Sequence, residues 1–396
     1  MALSTLRRSI LILVTPLLIG CAAAPQESGQ TRTYYIAADE VEWDYAPGGR
    51  DQITGALFDT SEVFVRPPPL SAPLYVNVKR ERYDAGFLGG LTGIGRVYKK
   101  ALYREYTDST FSEPKPRPPE WEHLGFLGPL IRAEVGDTIV VVFKNNAERP
   151  FSVHPHGVFY DKASEGTPYL DGTEGAAKAD DAVPPGSTHT YVWPVPERAG
   201  PGPNDPSSVL WMYHSHVHED EDIAAGLIGP MIVTARGRAD AEGAPEDVDR
   251  ELVTMFAYGD ENDSWYIRDN IRTYIPGMSV DSVAAQPFFG QTNDMLSING
   301  FLYGNLPLPE MRVGERIRWY LFAGTNAGDL HTVHWHGQTV LIDGRRTDMI
   351  ELEPMMMAVA DMEPDNPGTW LYHCHVDFHF IGGMSARFTV VPATGR

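Results

Sequence analysis

Residues 368–384 read Gly-Thr-Trp-Leu-Tyr-His-Cys-His-Val-Asp-Phe-His-Phe-Ile-Gly-Gly-Met. A cysteine lies between two histidines, with a third histidine five residues after it and a methionine ten residues after it. Thiolate, imidazole and thioether together are the donor set of a blue copper electron-transfer centre. Cys374, His379 and Met384 supply three such donors, and His331 is the candidate for the fourth. Successive side chains on a strand point to opposite faces. With Cys374 on one face, His373 and His375 lie on the other, so one strand can serve two metal sites back to back. A buried structural thiol with incidental histidines is the simpler account. Three histidines and a methionine at these offsets speak against it.

A second stretch has the same logic. Residues 331–337 read His-Thr-Val-His-Trp-His-Gly. His334 and His336 share a face by the two-residue period, and His331 faces the other side. The parity matches the Cys374 strand, which indicates that both stretches build the same two sites.

Short strand-like runs separated by Gly and Pro turns fill the rest of the chain, with no long helical period. Thr33 to Val41 and Ile139 to Lys144 read as strands, and Ala225 to Val233 as a buried one. The class expected is an all-β sandwich. His154 and His156 form another same-face pair, and so do His214 and His216. Val135-Gly136-Asp137 followed by these pairs matches Val313-Gly314-Glu315 followed by the His334 and His373 pairs. The chain is therefore an internal repeat. In the first copy Ser215 stands at the cysteine position, Phe151 at that of His331 and Leu227 at that of Met384. That copy lacks the blue site but keeps both His-X-His pairs.

Ten of the thirteen histidines fall in these motifs, leaving His123, His189 and His218. Eight form four same-face pairs, which suits a three-copper cluster with three imidazoles on each of two ions and two on the third. Imidazole suits several metals, and the adjacent blue site is what selects copper. A single pair taken alone would be compatible with zinc or plain packing.

Residues 1–20 read as a lipoprotein signal peptide: Arg7 and Arg8, then an apolar run ending in Leu-Ile-Gly before Cys21. Leu18 to Cys21 resembles the lipobox of bacterial lipoproteins, which implies cleavage before Cys21, lipidation of its thiol, a flexible tether over 21–32 and a place in the bacterial cell envelope, at the outer membrane on the periplasmic side; an ordinary signal peptide with an incidental cysteine is the other reading. Cys374 is then the one cysteine besides the anchor, so the folded part can hold no disulfide. The chain carries 32 basic and 53 acidic residues. Without residues 1–20, which hold two Arg and no acid, the balance is 30 against 53, or −23. This argues against a nucleic-acid partner.

With these residues in place the chain resembles the multicopper oxidases, and in particular one two-domain unit of the ceruloplasmin type. The likeness is carried by Gly95 to Phe111, Leu124 to Pro129, Tyr213 to His216, Asp260 to Tyr266 and the His331 and His373 motifs. It implies two cupredoxin-like Greek-key β-sandwich domains in tandem: 33–237 without type 1 copper, a linker over 238–249, and 250–393 with it. It also implies four coppers per chain. His331, Cys374, His379 and Met384 would hold type 1 copper, His154 and His334 type 2, and His156, His214, His216, His336, His373 and His375 the type 3 pair. Electrons from a small reductant would pass through Cys374 and its neighbours His373 and His375 to dioxygen. A two-domain chain of this kind is expected to form a homotrimer with inter-subunit clusters, as bacterial small laccases do.

The departures bear on the substrate. Where ceruloplasmin places residues that hold ferrous iron, Gln291, Leu296 and Phe378 stand here, with Asp377 one position off. The expectation is a laccase-like oxidase of small phenolic or aromatic reductants, with a cuprous or ferrous oxidase as the alternative. Two further alternatives fit less well. Copper nitrite reductase does not need both histidines beside the cysteine, and a non-enzymatic copper-binding electron carrier leaves the four pairs unexplained. Asp180-Asp181 resembles the family's calcium loop, with a solvated turn as the other reading. The run Glu219 to Asp222 reads as a solvated loop or a proton relay, and Met355 to Met357 mainly as packing.

Overall fold

A computed structural model describes residues 29–58, 93–286, 289–324 and 330–393. The expected signal peptide, Cys21 and most of the tether lie outside the described residues, as does the proline cluster at 65–73. Among the described residues no helix is long and apolar enough to cross a membrane.

The first copy folds as β1 (Thr31–Asp44), β2 (Val97–Tyr106), β3 (Ile131–Glu134), β4 (Thr138–Asn145), β5 (His154–Pro155), β6 (Thr188–Pro194), β7 (Ser208–His214) and β8 (Ile228–Thr234). Two four-stranded sheets face each other, in the orders β2-β1-β4-β6 and β3-β8-β7-β5. Along β4 intermediate and buried residues alternate strictly, because one face meets the core. β8 is buried throughout, as its apolar run predicts. β1 begins at Thr31 rather than after the tether: Arg32 Nε pairs with Asp137 at 2.6 Å, which draws the chain into the sheet.

The second copy comprises β9 (Arg250–Asp260), β10 (Asp294–Ile298), β11 (Met311–Arg312), β12 (Ile317–Ala323), β13 (His331–Trp335), β14 (Val340–Ile342), β15 (Arg345–Thr347), β16 (Met349–Leu352), β17 (Met357–Met362), β18 (Gly368–Cys374) and β19 (Ser385–Val391). Its sheets run β10-β9-β12-β17-β14-β15 and β11-β19-β18-β13-β16. The non-sequential orders bring β13 beside β18, with His334 opposite His373 and Val333 opposite Cys374. The first copy repeats this with His154 opposite His214.

Short helices interrupt the strands: α1 (Glu219–Ala225), α2 (Ile267–Tyr274), α3 (Val280–Ala284) and α4 (Asp377–Ile381). α1 corrects the reading of Glu219 to Asp222 as a solvated loop. Asp222 turns inward and is fully buried. Asp180 and Asp181 are also buried rather than in a solvated turn; Asp180 accepts from the Gly166 N–H at 2.7 Å. Met355 and Met357 pack inward while Met356 is exposed, as alternation requires.

Each copy has its own apolar core. A third core joins the two copies, with Tyr98, Leu102, Met212 and Ile232 from the first against Val253, Met255, Tyr320 and Phe322 from the second. Polar contacts lock this seam. Arg132 makes a two-pronged bond to Glu251, at 3.1 and 2.6 Å, and Arg318 reaches Ser208 Oγ at 2.8 Å. Such forked guanidinium–carboxylate pairs add direction as well as attraction.

His123 sits in the same seam. The Val253 N–H donates to its Nε2 at 3.1 Å, so Nδ1 carries the proton and donates to Glu120 O at 2.9 Å. Burial lowers its pKa from the ordinary 6.5 to about 4. The unfolded chain therefore takes up a proton near pH 6.5 that the folded chain refuses until about pH 4. The stability tied to the neutral ring is present above that window and lost as pH falls through it, up to roughly 3 kcal/mol. In urea denaturation between these pH values, His123→Gln is expected to reduce the pH slope of the unfolding free energy by about one proton. An unchanged slope would contradict the neutral, buried ring.

Candidate metal centres

β13, β18 and α4 bring His331, Cys374 and His379 together, with all three ligand atoms within 4.8 Å of one another. Cys374 Sγ lies 3.4 Å from His379 Nδ1 and 3.9 Å from His331 Nδ1. Donors sharing one ion at bond lengths of about 2.0–2.3 Å lie roughly 3.5 Å apart, so the spacing fits a single metal. Met384 is fully buried in the same core, and its carbonyl accepts the Cys374 N–H at 3.2 Å. The Thr332 N–H points at Sγ from 3.4 Å. A soft sulfur with two imidazoles in an apolar shell is a copper-selecting donor set.

On the reverse of the same strands stands a quartet of imidazoles: His334, His336, His373 and His375. His336 Nε2 and His373 Nε2 are 3.0 Å apart, and the His334 ring lies 5.3 Å from those of His373 and His375. His373 Nδ1 donates to Cys374 O at 2.7 Å, which leaves Nε2 with its lone pair facing the quartet. His334 Nδ1 is buried and has no hydrogen-bond partner. Burial, then the neighbouring rings, lower the pKa of His373 to about 4 and that of His334 below its ordinary value. Neutral imidazoles are the form that binds metal.

The first copy reproduces the quartet. His156 Nε2 and His214 Nε2 lie 3.1 Å apart. His154 sits 5.2 Å from His216, ring to ring. His214 Nδ1 donates to Ser215 O at 3.0 Å, and His154 Nδ1 to Glu165 O at 2.6 Å. Burial and the adjoining rings depress His156 to about 4 and His214 well below its ordinary value. Gly157 and Gly337 end the two His-X-His-Gly motifs, both at positive φ. A Cβ there would strike Trp211 or Trp370 respectively, so only glycine allows the turn that aims His156 and His336.

The first copy also preserves the framework of the other site without its donors. Phe151, Ser215 and Leu227 are buried at the places of His331, Cys374 and Met384. The Ser152 N–H donates to Ser215 Oγ at 3.1 Å, and the Ser215 N–H to Leu227 O at 3.1 Å. The sequence reading missed that Asp222 occupies the His379 place. Its spacing from Ser215 is seven residues, against five from Cys374 to His379, and α1 absorbs the difference. The signal lies in the backbone: the Leu227 N–H bonds to Asp222 O at 3.1 Å, as Met384 N–H does to His379 O at 2.9 Å. Asp222 accepts from Ser215 Oγ at 2.6 Å, from the N–H groups of Val217 and His218 at 3.1 Å each, and from Trp265 Nε1 at 2.9 Å. A Ser–Asp hydrogen bond stands there in place of the Cys374–His379 contact.

The two quartets do not meet within one chain: among the described residues no hydrogen bond or ring contact joins them. His189 and His218, outside the motifs, bond to Ala163 O at 2.9 Å and stack edge-on against Trp265 respectively.

Family models described as multicopper oxidase match residues 124–238 and 281–394. The chain belongs to the multicopper oxidases. Its two units have the cupredoxin-like β-sandwich fold. It is 46% identical to Ferroxidase HEPHL1 of Mus musculus over 92% of this chain and 30% of that protein. It is 42% identical to hephaestin of Homo sapiens over 91% of the chain and 29% of that protein. With ceruloplasmin of Rattus norvegicus the figures are 41%, 92% and 33%. The chain thus spans about a third of the length of these curated relatives. Among solved structures, a multicopper oxidase matches with a TM-score of 0.53 at 18% identity, covering 91% of this chain and 89% of the other. A blue copper oxidase from Nitrosomonas europaea matches equally well at 19% identity, covering 91% and 86%.

Asp222→Asn is expected to cost about 2–3 kcal/mol in urea denaturation, because an amide cannot accept from all these donors. The blue absorption of the copper-loaded protein should persist in that variant, since the site at Cys374 belongs to the other copy.

Proposed function

We propose that this multicopper oxidase couples one-electron oxidation of small reductants beside Cys374 to reduction of dioxygen at the imidazole quartets, with four coppers per chain. The observation that carries the reading is the back-to-back placement of Cys374 and His373. Copper, when bound, supplies single-electron acceptance at the first site and reduction of dioxygen to water at the second. The chain supplies the rest. Cys374, His331, His379 and Met384 form the first donor set, buried so that water is kept from the sulfur. His154 and His334 are assigned to type 2 copper, and His156, His214, His216, His336, His373 and His375 to the type 3 pair. His373 and Cys374 are consecutive, and the bond from His373 Nδ1 to Cys374 O adds a second link between the two sites.

Each quartet borders exposed apolar side chains. Phe159 and Tyr160 are exposed near the first, with Tyr160 stacked on His154. Met349, opposite His334 in the register, is exposed near the second. We infer a head-to-tail homotrimer in which the first quartet of one subunit meets the second quartet of the next. Closing such an asymmetric contact into a ring satisfies both faces. Lipid anchorage through Cys21 at the cell envelope is part of the same reading.

Small aromatic or phenolic reductants are the preferred substrates. Leu296 is buried in the core beside the site, and the Phe378 ring stands 4.1 Å from that of His379, so apolar surface rather than carboxylate flanks this ligand. A metal-ion oxidase is the second reading, supported by relatives that are named ferroxidases. Oxygen-electrode rates with a phenol, Fe(II) and Cu(I) separate the two, and a clear preference for Fe(II) would reverse the order.

Cys374→Ser should abolish the blue band and turnover while leaving most copper bound; retained blue colour would remove the assignment. The ring predicts complementation. Neither His214→Ala nor His336→Ala alone should reduce dioxygen, but subunits of the two variants unfolded, mixed and reassembled should regain part of the activity. Activity confined to monomers, or no recovery from well-folded mixtures, would exclude the inter-subunit cluster.

A further inference from the structure

His216 is held differently from its counterpart in the second unit. There the His375 N–H donates to Thr332 O of β13 at 2.7 Å. In the first unit β7 ends at His214, and the His216 N–H reaches a side chain instead, Ser152 Oγ at 3.0 Å. Residues 215–218 leave the strand and bend toward α1. Their polar groups converge on one carboxylate. Asp222 Oδ2 accepts from Ser215 Oγ at 2.6 Å and from the N–H groups of Val217 and His218 at 3.1 Å each. The same bend supplies Ser215 O, the acceptor for His214 Nδ1. Both imidazoles of this pair therefore depend on where Asp222 points.

The group that aims Asp222 comes from the other unit. Its Oδ1 accepts from Trp265 Nε1 at 2.9 Å. Trp265 lies between β9 and α2 of the second unit, yet it packs against the apolar core of the first, where its neighbour Tyr266 is buried. Tyr266 Oη donates to Glu40 Oε1 of β1 at 3.0 Å. The Arg149 guanidinium covers the Trp265 ring at 4.2 Å, and the His218 ring meets it at 5.2 Å. The indole is thus fixed by the first unit on several sides. A carboxylate is planar, so a bond to one oxygen sets the direction of the other.

We propose that Trp265 is a positioning residue for the first quartet: its N–H orients Asp222, and Asp222 sets the bend that presents His214 and His216. Docking of the second unit thereby completes the metal-binding geometry of the first. The inference rests on the reading of the quartets as copper ligands. Outer partners of this kind orient the ligands without touching the metal.

Trp265→Phe keeps an aromatic ring and removes the donor. In the copper-free chain, hydrogen exchange followed by mass spectrometry is expected to rise about tenfold at the amides of 217 and 218, with exchange across β13 and β18 unchanged. In the copper-loaded chain, a competing chelator should strip quartet copper from the variant at about tenfold lower concentration, with the blue band unchanged. Arg149→Ala uncovers the same ring but leaves the N–H, and should change neither readout. Asp222→Asn has one accepting oxygen instead of two, so it breaks the chain of bonds on one side or the other. It should raise exchange and loosen quartet copper likewise, and serves if Trp265→Phe does not fold. Unchanged exchange, unchanged copper retention against a parent that holds quartet copper, or an equal effect of Arg149→Ala would overturn the positioning role. A parent that holds only the blue copper would overturn the functional reading beneath it.

Discussion

Everything in this molecule follows from the alternation of side chains along β18. Consecutive residues on a strand cannot share a face. Cys374 therefore enters the apolar core of the second unit while His373 and His375 leave it on the opposite side. The two chemical environments are as different as the faces. One offers a buried thiol among apolar groups, the other a set of imidazoles, of which His334 and His373 are held neutral by burial and mutual repulsion. A single residue step, one peptide bond and one ring-to-carbonyl hydrogen bond separate them. A shift of register by one residue would exchange the faces and dismantle both sites together.

The first unit shows what remains when the sulfur is removed from this plan. Ser152, Ser215 and Leu227 keep the backbone bonds that Thr332, Cys374 and Met384 make in the second unit. Ser215 and Asp222 form a hydrogen bond in place of a thiolate–imidazole pair. The frame is a property of the β-sandwich, and a few side chains mounted on it decide whether a thiol and imidazoles or a hydrogen-bonded Ser–Asp pair stands there. The imidazole quartet survives in both units because it uses the other face, which the loss of the sulfur does not touch. Buried and satisfied, Asp222 holds the start of α1 at the place that His379 occupies in the second unit.

The seam between the units is the second organising feature. Its apolar core and its buried polar pairs make the two sandwiches one body rather than beads on a tether. A rigid seam holds the two quartets of a chain apart. On the functional reading proposed above, completing a cluster would fall to contacts between chains, which is why the exposed apolar residues beside the quartets carry weight there.

Much of this was legible in the residues alone. Parity along the strands set Cys374 and His331 on one side and the paired histidines on the other, because a two-residue period is a local property of the backbone; His379, on α4, was found by its donor chemistry and spacing. The repeat was legible because glycine turns and paired histidines recur in order. The seam was not, since Arg132 and Glu251, or His123 and Val253, are far apart in sequence and their pairing depends on how the sandwiches dock. Asp222 escaped notice for a related reason: a short helix changes the spacing, and only the hydrogen-bonded frame shows which position it fills. Side-chain direction is set residue by residue along a strand, whereas partners across a packed interface are decided by the fold as a whole.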